Sequence, residues 1–245
     1  LRKWLESPIR VEQLLAERYY DGDQDILYRE KKVIGADGNL VRIDNVANNK
    51  LVDNQYRKLV DQKTNYCLGK PLIISTSDEK YAEHLGKVFN KNMNRKLRVL
   101  AQFAVDGGIS WLYPYYDEQR NFCIEVFPSY EVCPVWKDKM HTRLESAMRY
   151  YSEEVFADNG EIQTIYHVDL FTTDGITHFR YQGGKLLPEE NPHSDYMYLG
   201  EKGYNWTKLP MIPFKYNTKE IPLIRSVKSL QDALNEVLSD FQNNM

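Results

Sequence analysis

The chain has 245 residues, 42% of them hydrophobic and 27% charged, which is the composition of an ordinary globular protein long enough to bury a core. Its formal net charge of −3 disfavours tight DNA binding through many phosphate contacts, since proteins that bind this way usually carry a basic surplus. No stretch approaches the roughly 18 apolar residues that cross a bilayer, and three cysteines without a C-x-x-C pair favour neither a zinc site nor a disulfide framework.

The first half of the chain is predicted to be mainly helical. Apolar residues recur there with the period of an amphipathic helix, and turn residues interrupt the pattern. The longest of these helices ends at Gly69, and Pro71 prevents its continuation. In chain order, the predicted elements are a helix over 8–20, a hairpin that turns at 36–39, one long helix over 48–71, a helix capped by Ser77 or Asp78, and a helix from about Met93 to Val105.

From residue 108 onward the pattern changes to short strands separated by turns. This spacing predicts an antiparallel meander and not a series of βαβ units. Residues 183–210 are predicted to form a long irregular excursion, and 211–217 a further short strand. The predicted fold class is therefore α+β, with an antiparallel β meander flanked by helices. The strand-like runs lie at 109–116, 122–127, 131–136, 145–152, 162–171 and 176–182.

The last segment opens near Pro222 and is predicted to be a long helix. Its apolar residues are spaced 4, 3, 4, 3 and 4 apart, which is the spacing of a heptad seam. Two interpretations stay open, a helix that packs on its own core or one that packs against a neighbouring long helix. The chain starts with Leu and ends without a helix-ending Gly or Pro, so we expect the natural protein to extend beyond it. The seam residues are Leu223, Val227, Leu230, Leu234, Val237 and Phe241.

One local concentration of basic residues stands out, with asparagines between its members. On a helix, these side chains could contact phosphates. The alternative function is therefore a nucleic-acid-binding module that uses this basic helix, although an ordinary solvated helix face has the same composition. The residues are Lys87, Lys91, Arg95, Lys96 and Arg98.

Motifs for catalysis or for cofactor binding are absent from the sequence. It has no phosphate-binding glycine loop, no paired histidines at metal-ligand spacing and no G-x-S-x-G element. Asp21, Asp23 and Asp25 suggest a calcium loop or a metal-dependent nuclease. A calcium loop would need Gly and Glu where Ile26 and Lys32 stand. The sequence therefore predicts no enzyme, no metal site and no cofactor.

Six sequence stretches occur in a recognisable order along nearly the whole chain. The most specific are KLVDQKTNYCLGKP at 58–71 and the pair IPFKYN at 212–217 and SVKSLQDALNEVLSDFQ at 226–242. In this order they resemble the portal proteins of tailed bacteriophages and related prophages, of the type found in siphophages of Gram-positive bacteria. The other stretches lie at 17–27, 107–132, 146–152 and 168–176.

The resemblance implies a structural role. Portal proteins form a ring, usually a dodecamer in the virion, at one capsid vertex, and double-stranded DNA is packaged and ejected through its channel. Residues 1–220 would form the wing domain, helical to about 107 and β-rich over 108–217. Residues 221–245 would be the helix that leads into the stem and clip. The seam would then pack against other portal helices, in the same subunit or in its neighbour.

The resemblance also implies partners and a location. The expected partners are other copies of the chain, the terminase large subunit, the scaffold and major capsid proteins, a head-completion or adaptor protein, and DNA held without sequence specificity. The expected location is the virion, and the host cytoplasm during assembly, with no membrane contact. Because the terminase ATPase supplies the force, a portal needs no phosphate loop.

Overall fold

The computed structural model describes residues 1–43, 45–117, 119–157 and 160–245. Helices occupy most of the first half of the chain, and antiparallel strands most of the second, as predicted for an α+β protein. None of the helices in the described ranges has the length and apolar character needed to cross a bilayer. The helices are α1 (Arg2–Leu5), α2 (Pro8–Asp21), α3 (Gln55–Leu68), α4 (Glu79–Val88), α5 (Lys91–Gly107) and α6 (Ile224–Asn243).

The strands form two main antiparallel sheets and two hairpins. The three-stranded sheet has the order β12-β3-β4, and the five-stranded sheet is a meander with the order β5-β6-β7-β8-β9. The strands are β1 (Lys32–Ile34), β2 (Leu40–Arg42), β3 (Ile109–Tyr116), β4 (Phe122–Phe127), β5 (Val132–Trp136), β6 (Leu144–Phe156), β7 (Ile162–Thr172), β8 (Gly175–Gln182), β9 (Lys185–Ser194), β10 (Met197–Leu199), β11 (Lys202–Tyr204) and β12 (Ile212–Lys215).

Both main sheets contribute to one aromatic core. Trp111 and Phe127 of the three-stranded sheet are buried with Ala147, Phe171 and Ile176 of the five-stranded sheet. These rings and aliphatic side chains come from strands that alternate apolar and polar residues, so each sheet buries one face. The two sheets are therefore packed on a shared interior.

A second core lies among the helices. Tyr19 of α2, Tyr56 and Val60 of α3, Val105 of α5 and Ile224 of α6 are all buried in it. Helix α5 also packs against strands β3 and β4, so it connects the helical core to the three-stranded sheet.

The predicted helix over 48–71 is wrong at its N-terminal end. Residues 49–54 belong to no helix or strand, and α3 begins only at Gln55. Asn54 is the N-cap, and its side chain accepts a hydrogen bond from the backbone N–H of Arg57 at 2.9 Å. Asparagine and aspartate favour caps over helix interiors because their side chains bond the nearby backbone. The polar run before Gln55 therefore stays outside the helix.

The predicted irregular excursion over 183–210 is also wrong. It contains strand β9 and the β10–β11 hairpin, with Met197 paired to Tyr204. Strand β9 is rich in Glu, Lys and Pro, which are depleted in strands. It lies at the edge of the five-stranded sheet, where proline and charged residues are tolerated. This edge position explains why its sequence lacks a strand signature.

Candidate functional site

Helix α6 buries a polar stripe. Gln231, Asn235 and Ser239, each four residues after the last, are buried. They bond the extended segment that precedes α3: Ser239 Oγ accepts from the N–H of Leu51 at 2.9 Å, and Asn235 Oδ1 accepts from that of Asp53 at 3.1 Å. Farther along, Gln231 Oε1 accepts from the N–H of Tyr56 at 2.8 Å. This row of side chains, the polar stripe, supplies the hydrogen bonds that a neighbouring strand would otherwise provide.

The heptad seam of α6 therefore points mostly away from the core. Leu223 is buried and Val227 is half-buried, so the seam's first turn packs on the helical core. Farther along, Leu230, Val237 and Phe241 are 71%, 67% and 65% exposed. The interpretation of the whole seam as a core-packing face is wrong, because the polar stripe takes that place. The exposed Leu230, Val237 and Phe241, with the half-buried Leu234 between them, form an apolar row that is called the α6 ridge below.

The structure separates the five basic residues that the sequence predicted on one helix. Lys87 lies on α4 and pairs with Glu83 at 2.9 Å, whereas the other four lie on α5, because the chain breaks between the two helices. Lys96 turns toward strand β4, where it donates to the carbonyl of Ile124 and lies 3.3 Å from Glu125. The predicted single basic helix is therefore wrong for Lys87, whereas Lys96 lies on α5 but contacts strand β4.

The remaining three basic residues line one cleft. Lys91, Arg95 and Arg98 of α5 face Arg57 of α3 and Lys70, which follows α3, across a cleft of about 1150 Å³. Asp61 of α3 is the carboxylate in the lining, 3.9 Å from the Arg57 guanidinium. This α3–α5 cleft therefore carries a clear positive surplus on a chain whose net charge is negative.

Two of the three aspartates of the DGDQD stretch, Asp23 and Asp25, contact other groups of the protein. Asp25 pairs with Arg18 and lies 2.6 Å from Lys228 of α6. Asp23 accepts a hydrogen bond from Tyr28 at 2.6 Å. Among the described residues there is no group of three or more His, Cys, Asp or Glu side chains arranged to hold a metal ion. Asp25 thus helps to fix α6 on α2.

Strands β7, β8 and β9 carry a hydrogen-bonded chain that the sequence did not reveal. His178 Nδ1 lies 2.7 Å from Asp169 Oδ1, and His178 Nε2 lies 2.8 Å from Ser194 Oγ. The hydrogen bond to Asp169 raises the pKa of His178. The order of groups matches a serine hydrolase triad, but Ser194 lies within a β-strand and not on a strand-to-helix turn. These two hydrogen bonds therefore link the side chains of three adjacent strands.

A buried acidic pair lies where α2, α3 and α5 meet. Asp106 of α5 is 3% exposed, and its carboxyl accepts a hydrogen bond from the Tyr56 hydroxyl. Burial, more than the neighbouring Glu17, raises the pKa of Asp106 to about 8. Burial also raises the pKa of the half-buried Glu17, whose carboxyl lies near Asp106 and Tyr130. At neutral pH the pair therefore retains a proton inside the helical core.

Comparisons with known proteins agree with the resemblance in the motif order. The model of the family described as phage portal protein, SPP1 Gp6-like, matches residues 10–245. The chain is 27% identical over 227 residues to the portal protein of Bacillus phage SPP1, an alignment that covers 91% of this chain and 44% of that relative. It is 24% identical over 246 residues to the portal protein of Clostridium phage phiCD119, with 96% and 52% covered. The chain thus spans about half the length of the curated relatives it matches, and it belongs to the SPP1 Gp6-like family of phage portal proteins.

Proposed function

We propose that this chain is the wing of a portal subunit, together with the helix that leads toward the stem. In this role it is a structural, non-catalytic part of a ring at one capsid vertex, through which double-stranded DNA is packaged and ejected. The observation that carries the proposal is the family match over residues 10–245. The wing would comprise residues 1–220 and the stem-ward helix residues 221–245, so α6 would begin the connection to the stem.

The α6 ridge supports self-association. Soluble monomers rarely expose a contiguous apolar row of this kind, and such rows mark interaction sites. The ridge keeps heptad spacing over Leu230, Leu234, Val237 and Phe241, which suits the seam between two long helices. Its opposite face is already bound to the segment before α3 through the polar stripe. We assign the ridge to contact with a neighbouring copy of the chain in the ring.

The net charge of −3 suits a conduit. A passage for DNA works best without many strong phosphate contacts along it, since each contact must break as the duplex moves. The proposed ring is a dodecamer that docks the terminase large subunit during packaging and a head-completion or adaptor protein afterwards. It would also meet the scaffold and major capsid proteins. It would form in the host cytoplasm and end in the virion.

Substitutions on the ridge test the self-association. In Leu230→Glu/Val237→Glu, two exposed apolar residues become charged, so folding should be kept while the oligomer dissociates. The matched control is Ser229→Glu/Glu236→Gln, which changes polar residues on α6 outside the ridge. Sedimentation velocity should show the wild type and the control as large oligomers and the double variant as a monomer. Oligomers of equal size in all three would reject the ridge as the contact, and a ridge variant that unfolds would indicate packing within the same subunit.

A further inference from the structure

We infer that the α3–α5 cleft binds the phosphodiester backbone of a nucleic acid, through Lys91, Arg95 and Arg98 on one wall and Arg57 and Lys70 on the other. This goes beyond the passage of DNA through a channel, because it assigns a binding site on the individual subunit. It also stands apart from ring assembly, since every group involved belongs to one copy of the chain.

The spacing of the basic residues on α5 fits a row of phosphates. Lys91, Arg95 and Arg98 are four and three residues apart, so they share one face of the helix. At 1.5 Å per residue the row extends about 10 Å along α5. One strand of a duplex carries a phosphate about every 3.4 Å of its axis, so the row spans the axial rise of about three phosphates when α5 lies along the duplex axis.

The cationic groups of the cleft are available to a ligand. Lys70, Lys91 and Arg95 are exposed, and none of the three forms an ion pair with another described residue. Among the described residues Arg98 donates only to the side-chain Oδ1 of Asn65, at 2.6 Å, and it is also exposed. Guanidinium groups present several N–H donors in a plane, which suits phosphate oxygens. Within the described part of the chain, the basic side chains on the α5 wall of the cleft therefore have most of their N–H donors free to bind a ligand.

The N-terminus of α5 adds to the positive electrostatic potential of the cleft. Residues 90–92 line the cleft, and the Asn90 side chain caps the helix by accepting from the N–H groups of Asn92 and Met93 at 2.9 and 3.0 Å. Because the N-terminal end of a helix carries a partial positive charge, an anion near Lys91 is stabilised by the helix as well as by the side chain.

A buried hydroxyl in the cleft lining provides an independent indication of a ligand. Thr64 of α3 lines the cleft and is only 7% exposed, yet its Oγ1 has no hydrogen-bond partner in the protein. Buried polar groups are almost always paired, and an unpaired one costs stability. A phosphate oxygen in the cleft would accept the hydrogen bond that Thr64 can donate. The unpaired hydroxyl therefore supports the presence of an acceptor in the cleft, which the Thr64 side chain would reach by turning toward it.

The same features favour a phosphate backbone over an acidic peptide. In an extended peptide, successive side chains point to opposite faces, so carboxylates on one face recur only about every 6.6 Å. The cleft instead offers a denser set of donors, because amide side chains such as Asn65, Asn92 and Asn94 lie among the basic residues. A continuous chain of phosphate and sugar oxygens offers more acceptors to these donors than the separated carboxylates of a peptide do.

Fluorescence anisotropy with a labelled 20-base-pair DNA duplex tests the inference on the whole chain. If three phosphates are neutralised, the plot of log affinity against log salt should have a slope of about −2.7. Lys91→Gln/Arg95→Gln/Arg98→Gln should weaken binding at low salt by at least an order of magnitude and make the slope clearly shallower, because only Arg57 and Lys70 then remain in the cleft. Lys80→Gln/Lys87→Gln/Lys139→Gln removes the same charge from exposed positions outside the cleft, and it should bind as the wild type does.

Thr64→Val separates ligand binding from a structural role. Valine has nearly the same shape and removes only the buried hydroxyl, so thermal stability should stay equal or rise while duplex affinity falls about threefold. The inference is overturned if the wild type does not bind the duplex in 50 mM NaCl, or if the cleft variant and its control bind equally. It is also overturned if a decaglutamate peptide displaces the duplex at equal concentration, since the site would then be one for acidic peptides.

Discussion

Asn235, in the middle of α6, accepts a hydrogen bond at 3.1 Å from the backbone N–H of Asp53, which lies in a segment outside any helix or strand. The Asn235 amide group in turn donates to Gln24 at 2.5 Å, and both side chains are fully buried. A helix thus holds an extended segment by its side chains, and 182 residues of sequence separate the two partners. This contact decides which face of α6 is left for other proteins.

Replacement of Asn235 by leucine should destabilise the protein strongly. The N–H of Asp53 and the carbonyl oxygen of the Gln24 side chain would be left buried without partners, at a cost of about 2–4 kcal/mol. The control is Glu236→Gln, at the neighbouring exposed position, which should change the free energy of unfolding little. Urea unfolding followed by circular dichroism measures both. Equal midpoints for the two variants would show that the polar stripe does not hold the segment before α3.

Gly108 should not tolerate a side chain, whereas Gly86 should. Gly108 ends α5 with a φ of +83°, and a Cβ there would lie 2.2 Å from the carbonyl oxygen of Glu220. Gly108→Ala is therefore expected to cost at least about 2 kcal/mol, from the left-handed backbone and the clash together. At Gly86, inside α4, a Cβ meets nothing within 4 Å. Gly86→Ala should raise the free energy of unfolding by about 0.5–1 kcal/mol. Thermal unfolding of the two variants checks the contrast, and equal shifts in both would contradict it.

The buried pair of Asp106 and Glu17 should make stability fall as pH rises. The pKa of Asp106 is about 8 in the folded protein, mainly through burial, so the folded state holds a proton that the unfolded state releases near pH 4. Between these values the free energy of unfolding should decrease by up to about 1.4 kcal/mol for each pH unit.

Asp106→Asn isolates this effect, since its amide keeps the shape of the protonated acid and can still accept the hydrogen bond from Tyr56. The variant should match the wild type near pH 5 and exceed it in stability at pH 8. The exposed Asp174→Asn serves as the control and should follow the wild type across the range. Parallel curves for the Asp106 variant and the wild type would mean that Asp106 is already ionised in the folded state.

Ser194 should be chemically unreactive, despite its place beside His178 and Asp169. It lies in strand β9, and neither the α3–α5 cleft nor the tyrosine-rich pocket beside the β10–β11 hairpin includes it. A fluorophosphonate probe should therefore fail to label the protein, while the same probe labels a serine hydrolase run in parallel. Labelling that is lost in Ser194→Ala would contradict this expectation and would indicate a hydrolase site.

Sequence patterns predicted the elements that depend on local order. Strands β3 and β4 were predicted with their observed bounds, because each is a short run rich in aromatic and aliphatic residues that lies between clear turns. The cap of α4 was equally local, since Asp78 accepts from the backbone N–H of Tyr81 at 3.1 Å, three residues away. Edge strand β9 was missed because its position in the sheet, and not its composition, allows it to pair.

The features that form the candidate surfaces depend on distant partners and were largely missed. The Asn54 cap is a local signal for the start of α3, but nothing local indicates that α6 bonds the backbone of Leu51 and Asp53. The basic residues of α5 were predicted, but Arg57 and Lys70 join them only through packing of α3 on α5. The heptad spacing of the apolar residues on α6 was visible in the sequence. That most of them face outward was not, because this depends on the polar stripe that packs on the core from the opposite face of the helix.

Ring closure is tested most directly by negative-stain electron microscopy of the gene product that carries this chain, purified across a range of concentrations and salts. The proposed function predicts closed rings with a central opening, with class averages that show a single rotational symmetry, twelvefold for the proposed dodecamer. Particles that remain monomeric under all conditions, with scaffold protein present or absent, would contradict the portal function.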